Sequence, residues 1–116
     1  MDPIIITIDG KEVAVRASGA TYIRYKNVFK KDLFKEFTAF EVAENGEVPE
    51  GALETLIRAG YIMAEQAEPS GLSFDEWCDQ FSFIGLAKDI PQIAGILTND
   101  KQTIDKAKKK STQSAR

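Results

Sequence analysis

The chain has 116 residues, 43% of them hydrophobic, with 15 Lys plus Arg, 18 Asp plus Glu, a net charge of −3, no His and one Cys. That length suits one domain able to bury a core without staples. A lone Cys78 allows no internal disulfide, and the lack of His removes the usual zinc, haem and Ser-His-Asp chemistries, so neither metal nor cofactor is expected.

Residues 3–16 read as a β-hairpin. Ile4, Ile5, Ile6, Thr7 and Ile8 are β-branched, Asp9-Gly10 is a two-residue turn signal, and Lys11 to Arg16 returns. This register pairs Ile6 with Val13 and Ile4 with Val15, so Ile4, Ile6, Ile8, Val13 and Val15 share one face; Ile5, Thr7, Glu12 and Ala14 share the other. A hairpin this small must pack on something. Its own helices are the favoured support, although Ile5 and the free edges also suit pairing between subunits.

From Ser18 the period becomes helical. Ser18 or Thr21 caps a helix with Tyr22, Tyr25, Val28 and Phe29 on its apolar face and Arg24, Lys26, Lys30 and Lys31 around it. Asp32 can open a second stretch through Leu33, Phe34, Phe37, Phe40 and Glu41; periodicity leaves open whether 18–42 is one helix or two. Asn45-Gly46 marks a loop. Val48-Pro49-Glu50-Gly51 leads into a helix whose face is Leu53, Leu56, Ile57, Gly60, Tyr61, Ala64 and Ala67, ended by Pro69-Ser70-Gly71. Ser73-Phe74-Asp75-Glu76 is a capping-box pattern, with Phe74, Trp77, Cys78 and Phe81 available for burial. The last apolar segment, Phe83, Ile84, Leu86, Ala87, Ile90, Ile93, Ala94, Ile96 and Leu97, is interrupted by Pro91, which predicts a kink or two short helices joined at Asp89. The expected fold is therefore α+β, mainly α: a hairpin and a compact bundle of four to six short helices over residues 1–100 (helical part 18–98), then a basic, disordered tail at 101–116.

Few residues suggest chemistry. Gly10 and Gly19 do not build a phosphate-binding loop. Asp75, Glu76 and Asp79 read as a solvated acidic face, since no calcium-loop spacing is present. Cys78 has no His to activate it and reads as a small buried hydrophobe. No enzyme constellation is found. Charge is segregated, with −2 over 1–15, +5 over 16–35, −11 over 36–100 and +5 over 101–116. The basic, aromatic stretch 16–35 and the Lys-rich tail support an alternative reading as a small nucleic-acid-binding regulator. The acidic body opposes it, making nucleic acid the less favoured partner. No apolar run approaches the roughly 20 residues that span a bilayer. No secretory signal is visible, so a cytoplasmic location without membrane association is expected.

The segment Thr21-Tyr22-Ile23-Arg24-Tyr25-Lys26-Asn27-Val28-Phe29-Lys30-Lys31-Asp32-Leu33 resembles the small tail assembly chaperones of long-tailed, siphovirus-type bacteriophages and prophages. That family has a short N-terminal hairpin and a helix with a Tyr-Arg-x-x-Phe-Gly-x-Asp-Leu-like stretch. Tyr25, Lys26, Phe29, Asp32 and Leu33 match it, Lys26 replacing the Arg. Ser73, Phe74, Asp75, Glu76 and Trp77 look like its second recurring feature, so the resemblance spans about residues 4–98. One departure is Lys30 at the family's Gly, which opens the way to a continuous helix.

The resemblance implies a non-catalytic protein of the bacterial host cytoplasm, absent from the mature virion, that binds the tape measure protein, keeps it soluble and helps recruit tail tube subunits. It also implies a longer form made by programmed translational frameshifting, through which the major tail tube protein would be reached. Lys108-Lys109-Lys110 is compatible with an A-rich slip site. Self-association is a further expectation. On this reading Arg24, Tyr25, Phe29, Lys30, Lys31, Phe34 and Phe37 are the candidate partner-binding residues, the aromatics as groove or core residues and the cations as the rim. Tyr25, Phe29, Asp32, Leu33, Ser73, Glu76 and Trp77 are the motif residues expected to hold the fold.

Overall fold

The computed structural model describes residues 3–42 and 51–98, with backbone alone for 39–42. Strands β1 (Ile4–Ile8) and β2 (Lys11–Val15) form an antiparallel hairpin, followed by helices α1 (Gly19–Phe29), α2 (Leu33–Val42), α3 (Ala52–Ala67), α4 (Phe74–Cys78) and α5 (Phe83–Asp89). Residues 92–98 are again helical. The loop signals at Asn45-Gly46 and Val48 to Glu50, the side chains of Phe40 and Glu41, and the tail expectation for 101–116 lie outside the described residues.

The hairpin adopts the register read from its pattern, with Ile4 opposite Val15 and Ile6 opposite Val13. Asp9 and Gly10 both take positive φ, 52° and 76°, as a type I′ turn requires. Ile6, Ile8 and Val15 are buried, and Ile5 on the other face is exposed. The support is intramolecular: α3 lies along β2, and the Arg16 amide donates to the Met63 carbonyl at 3.0 Å. Arg16 and Gln66 are tied further, Arg16 Nη2 donating to the Gln66 carbonyl and Gln66 Nε2 to the Arg16 carbonyl.

Helix α3 is the centre of the molecule. The spacing of its apolar residues predicts one buried stripe, yet Ala52, Thr55, Ala59, Ile62, Met63 and Gln66 are buried as well. Neighbours on several sides cause this, because β2, α1, α2 and α4 all pack against it.

The helix ends are set locally. Ser18 caps α1 reciprocally with Thr21: Ser18 Oγ accepts from the Ala20 amide and Thr21 Oγ1 accepts from the Ser18 amide. The open choice over 18–42 resolves as two helices. Lys30 takes the left-handed conformation (φ 58°), its amide donates to the Lys26 carbonyl, and α1 stops. Asp32 then starts α2, its carboxylate accepting from the Lys35 amide at 3.0 Å. Ser73 and Glu76 form the capping box expected for α4.

Near Pro91 the chain breaks into two helical pieces, with Ile93 and Ala94 amides bonding back to the Ile90 and Pro91 carbonyls. Four apolar-face expectations are corrected: Ile4 of the hairpin, Val28 of α1, and Phe83 and Ile84 of the last segment are all exposed. Val28 is exposed because Thr21 and Tyr25 turn the neighbouring face of α1 inward. Ile84 is exposed because Leu86 and Ile90 take the core side of the last segment.

Candidate functional site

The candidate partner-binding residues sit on α1, α2 and the elbow between them, and the structure divides them. Arg24, Lys30 and Lys31 are exposed, Phe34 is 48% exposed, and Phe29 is partly buried. Of the two alternatives for the aromatics, groove or core, Tyr25 and Phe37 take the core: both are buried. The packing of α3 covers these faces: Tyr25 meets it from α1, and Leu33 and Phe37, four residues apart, share the covered face of α2.

Tyr25 anchors a polar triangle. Its hydroxyl donates to Glu36 Oε1 at 2.9 Å and accepts from Arg58 Nε at 2.7 Å, and Arg58 Nη2 pairs with Glu36 Oε2 at 3.4 Å. Arg58 also donates to Thr55 Oγ1 at 3.2 Å and lies 5.8 Å from the Tyr25 ring centroid and 6.0 Å from that of Phe29. Burial pushes the Tyr25 phenol up to about 12, with Arg58 pulling it down and Glu36 up. Sequence reasoning missed Glu36, Thr55 and Arg58. Arg58 falls outside the predicted apolar face of α3, on the side of Glu54 and Glu65, so nothing local marked it.

From Tyr25 an aromatic series crosses the molecule. Tyr25 meets Phe29 at 5.1 Å, Phe29 meets Phe74 at 5.1 Å, Phe74 meets Tyr61 at 5.6 Å, Tyr61 meets Trp77 at 5.9 Å, and Trp77 meets Phe81 at 5.1 Å. All but the first are edge-to-face, the arrangement ring quadrupoles favour. The segments 25–33 and 73–77 therefore meet through the Phe29–Phe74 contact. Tyr61 also donates from its hydroxyl to the Leu72 carbonyl, tying α3 to the approach to α4.

Between α1 and α3 lies a groove of about 250 Å³ lined by Arg24, Asn27, Val28, Tyr61, Ile62 and Glu65. Arg24 is the one predicted contact residue that lines it. Val28, 53% exposed, and Tyr61 give it apolar surface, and Arg24 and Glu65 give it charge of both signs. Elsewhere, Cys78 is a half-buried free thiol whose pKa is raised by burial and by Asp75 and Asp79, the opposite of nucleophile activation. Asp75 and Asp79 are exposed. Among the described residues no three His, Cys, Asp or Glu side chains converge as metal ligands, and no helix is long and apolar enough to cross a membrane. No family model, curated protein or solved structure matches the chain.

Proposed function

We propose that the protein is a tail assembly chaperone that holds the tape measure protein soluble during tail morphogenesis in the host cytoplasm, and helps recruit tail tube subunits through a frameshifted longer form. The observation that carries the reading is the α1–α3 groove. An apolar surface bordered by opposite charges suits the face of an amphipathic client helix, which buries apolar side chains and keeps its own charged flanks paired. Exposed Ile23 on α1 and Phe34 on α2 present further apolar surface, and Lys26, Lys30, Lys31 and Lys35 keep it soluble. The resemblance over residues 25–33 and 73–77 supplies the identity of the client.

The test is co-expression with a tape measure protein from the same gene neighbourhood. Val28→Asp and Phe34→Asp should each leave the chaperone folded while at least about tenfold less client co-purifies. Full co-purification with both variants would overturn the reading. The exposed cations Arg24, Lys26, Lys30, Lys31 and Lys35 keep nucleic acid as the second reading. Oligonucleotide binding that persists near physiological salt would favour it, and binding erased by salt would exclude it.

A further inference from the structure

Among the described residues β2 has one strand neighbour, β1. In a two-residue hairpin of this register the pairs Ile8–Lys11, Ile6–Val13 and Ile4–Val15 bond to each other, which turns the backbone N–H and C=O of Glu12, Ala14 and Arg16 outward. Two contacts confirm the phase. The Thr7 carbonyl, on the far edge opposite Glu12, accepts from Gln92 at 2.9 Å, and the Arg16 amide donates to the Met63 carbonyl. Helix α3 thus closes the edge at Arg16, and the stretch at Glu12 and Ala14 opens on a cleft of about 210 Å³ between β2, α3 and α4. Leu72, Trp77 and Phe81 make part of its lining apolar, and Glu12, Glu65 and Glu68 make it acidic. Its cation, Lys11, is already committed to the Gln80 carbonyl and to the Phe81 ring, 5.7 Å from the centroid.

We propose that this edge takes an extended Lys- or Arg-bearing segment of a partner protein as a third strand. The backbone groups of Glu12 and Ala14 demand an extended chain. The pleat then sends alternate side chains to the two faces, apolar ones toward Leu72, Trp77 and Phe81 and basic ones toward the carboxylates. The net negative lining selects a basic segment over an acidic one. The cleft shares Glu65 alone with the lining of the α1–α3 groove, so the inference stands whether or not that groove holds a client helix.

The test uses the full chain and a short peptide alternating lysine and valine, with three controls: two peptides N-methylated at one or the other set of alternate amides, and one alternating glutamate and valine. The lysine peptide should slow hydrogen exchange at the Glu12 and Ala14 amides by at least about tenfold and shift the emission of Trp77. One N-methyl series should bind at least about tenfold more weakly, and a Glu12→Gln/Glu68→Gln variant should lose a similar factor. Absence of binding, equal binding of the glutamate peptide, or indifference to both N-methyl series would overturn the proposal. So would slow exchange at Glu12 and Ala14 before any peptide is added, because this chain would then fill its own edge, from its own tail or from a second copy.

Discussion

Lys30 holds φ at 58°, a conformation in which Cβ crowds the following carbonyl. Gly takes this conformation without a Cβ penalty, and the chain makes the turn with Lys instead. Lys30→Gly should therefore raise stability by about 0.5–1 kcal/mol, read as a higher urea midpoint with an unchanged slope. Tyr25 is the opposite case, a side chain whose hydroxyl satisfies two charged neighbours. Tyr25→Phe should cost about 1–3 kcal/mol by leaving Arg58 Nε and Glu36 Oε1 without their shared partner. The hydroxyl also sets an alkaline response. Its pKa is raised from 10.0 to about 12 in the fold, so its contribution is complete below pH 10 and is lost as pH rises toward 12. Thermal melts over that window should show a decline that is shallower in Tyr25→Phe.

At the scale of elements, the hairpin turn and α5 are clamped together. Asp9 accepts from the Ser82 amide at 2.8 Å and from Ser82 Oγ at 3.1 Å, while the Asp9 amide donates to Asp89 Oδ2 at 2.8 Å. Ser82 Oγ in turn accepts from the Gly85 amide and caps the helix. Gly85 is required here by close approach: a Cβ would stand 2.1 Å from Asp9 Oδ1 and 2.7 Å from Asp9 Cβ. Gly85→Ala should destabilise the protein by about 1–3 kcal/mol, and most of that loss should vanish in an Asp9→Gly background, where a double-mutant cycle measures the coupling. The Ser82 amide and hydroxyl hold the Asp9 carboxyl below the usual aspartate range, and Ser73 does the same for Glu76 at the start of α4. Both contributions are present above the ordinary carboxylate range and are lost as pH falls through the lowered values. Acid melts of Asp9→Asn and Glu76→Gln should accordingly be flatter than those of the parent.

For the whole molecule, the sharpest division is between surface and core among the aromatics of α2. Phe37→Asp places a charge in the core and should abolish cooperative unfolding, whereas Phe34→Asp should leave the circular dichroism and melting transition close to the parent's. Local patterns were legible in advance. The hairpin register, the Ser73–Glu76 cap and the break at Pro91 depend on residues a few positions apart, and alternation, capping chemistry and a missing amide act over that range. The inward turn of Leu33 and the buried Trp77 were readable for the same reason. What stayed hidden depends on contacts between distant parts of the chain. Periodicity could not tell Tyr25 from Phe34 as core and surface, because α3 decides which face is covered. Arg58 and Glu36 each looked like surface charges until α2 and α3 brought them to one hydroxyl. The need for Gly at position 85 arises from a turn at Asp9. The amino-acid sequence by itself determined the hairpin, the cap at Ser73, the interruption at Pro91 and the segregated charge, the structural ones among them following from short-range sterics and hydrogen bonding. Only the tertiary structure decided that α1 and α2 are separate helices and, among the described residues, which apolar faces are exposed and which strand edge has no strand beside it, because burial is a property of neighbours that the local chain does not encode.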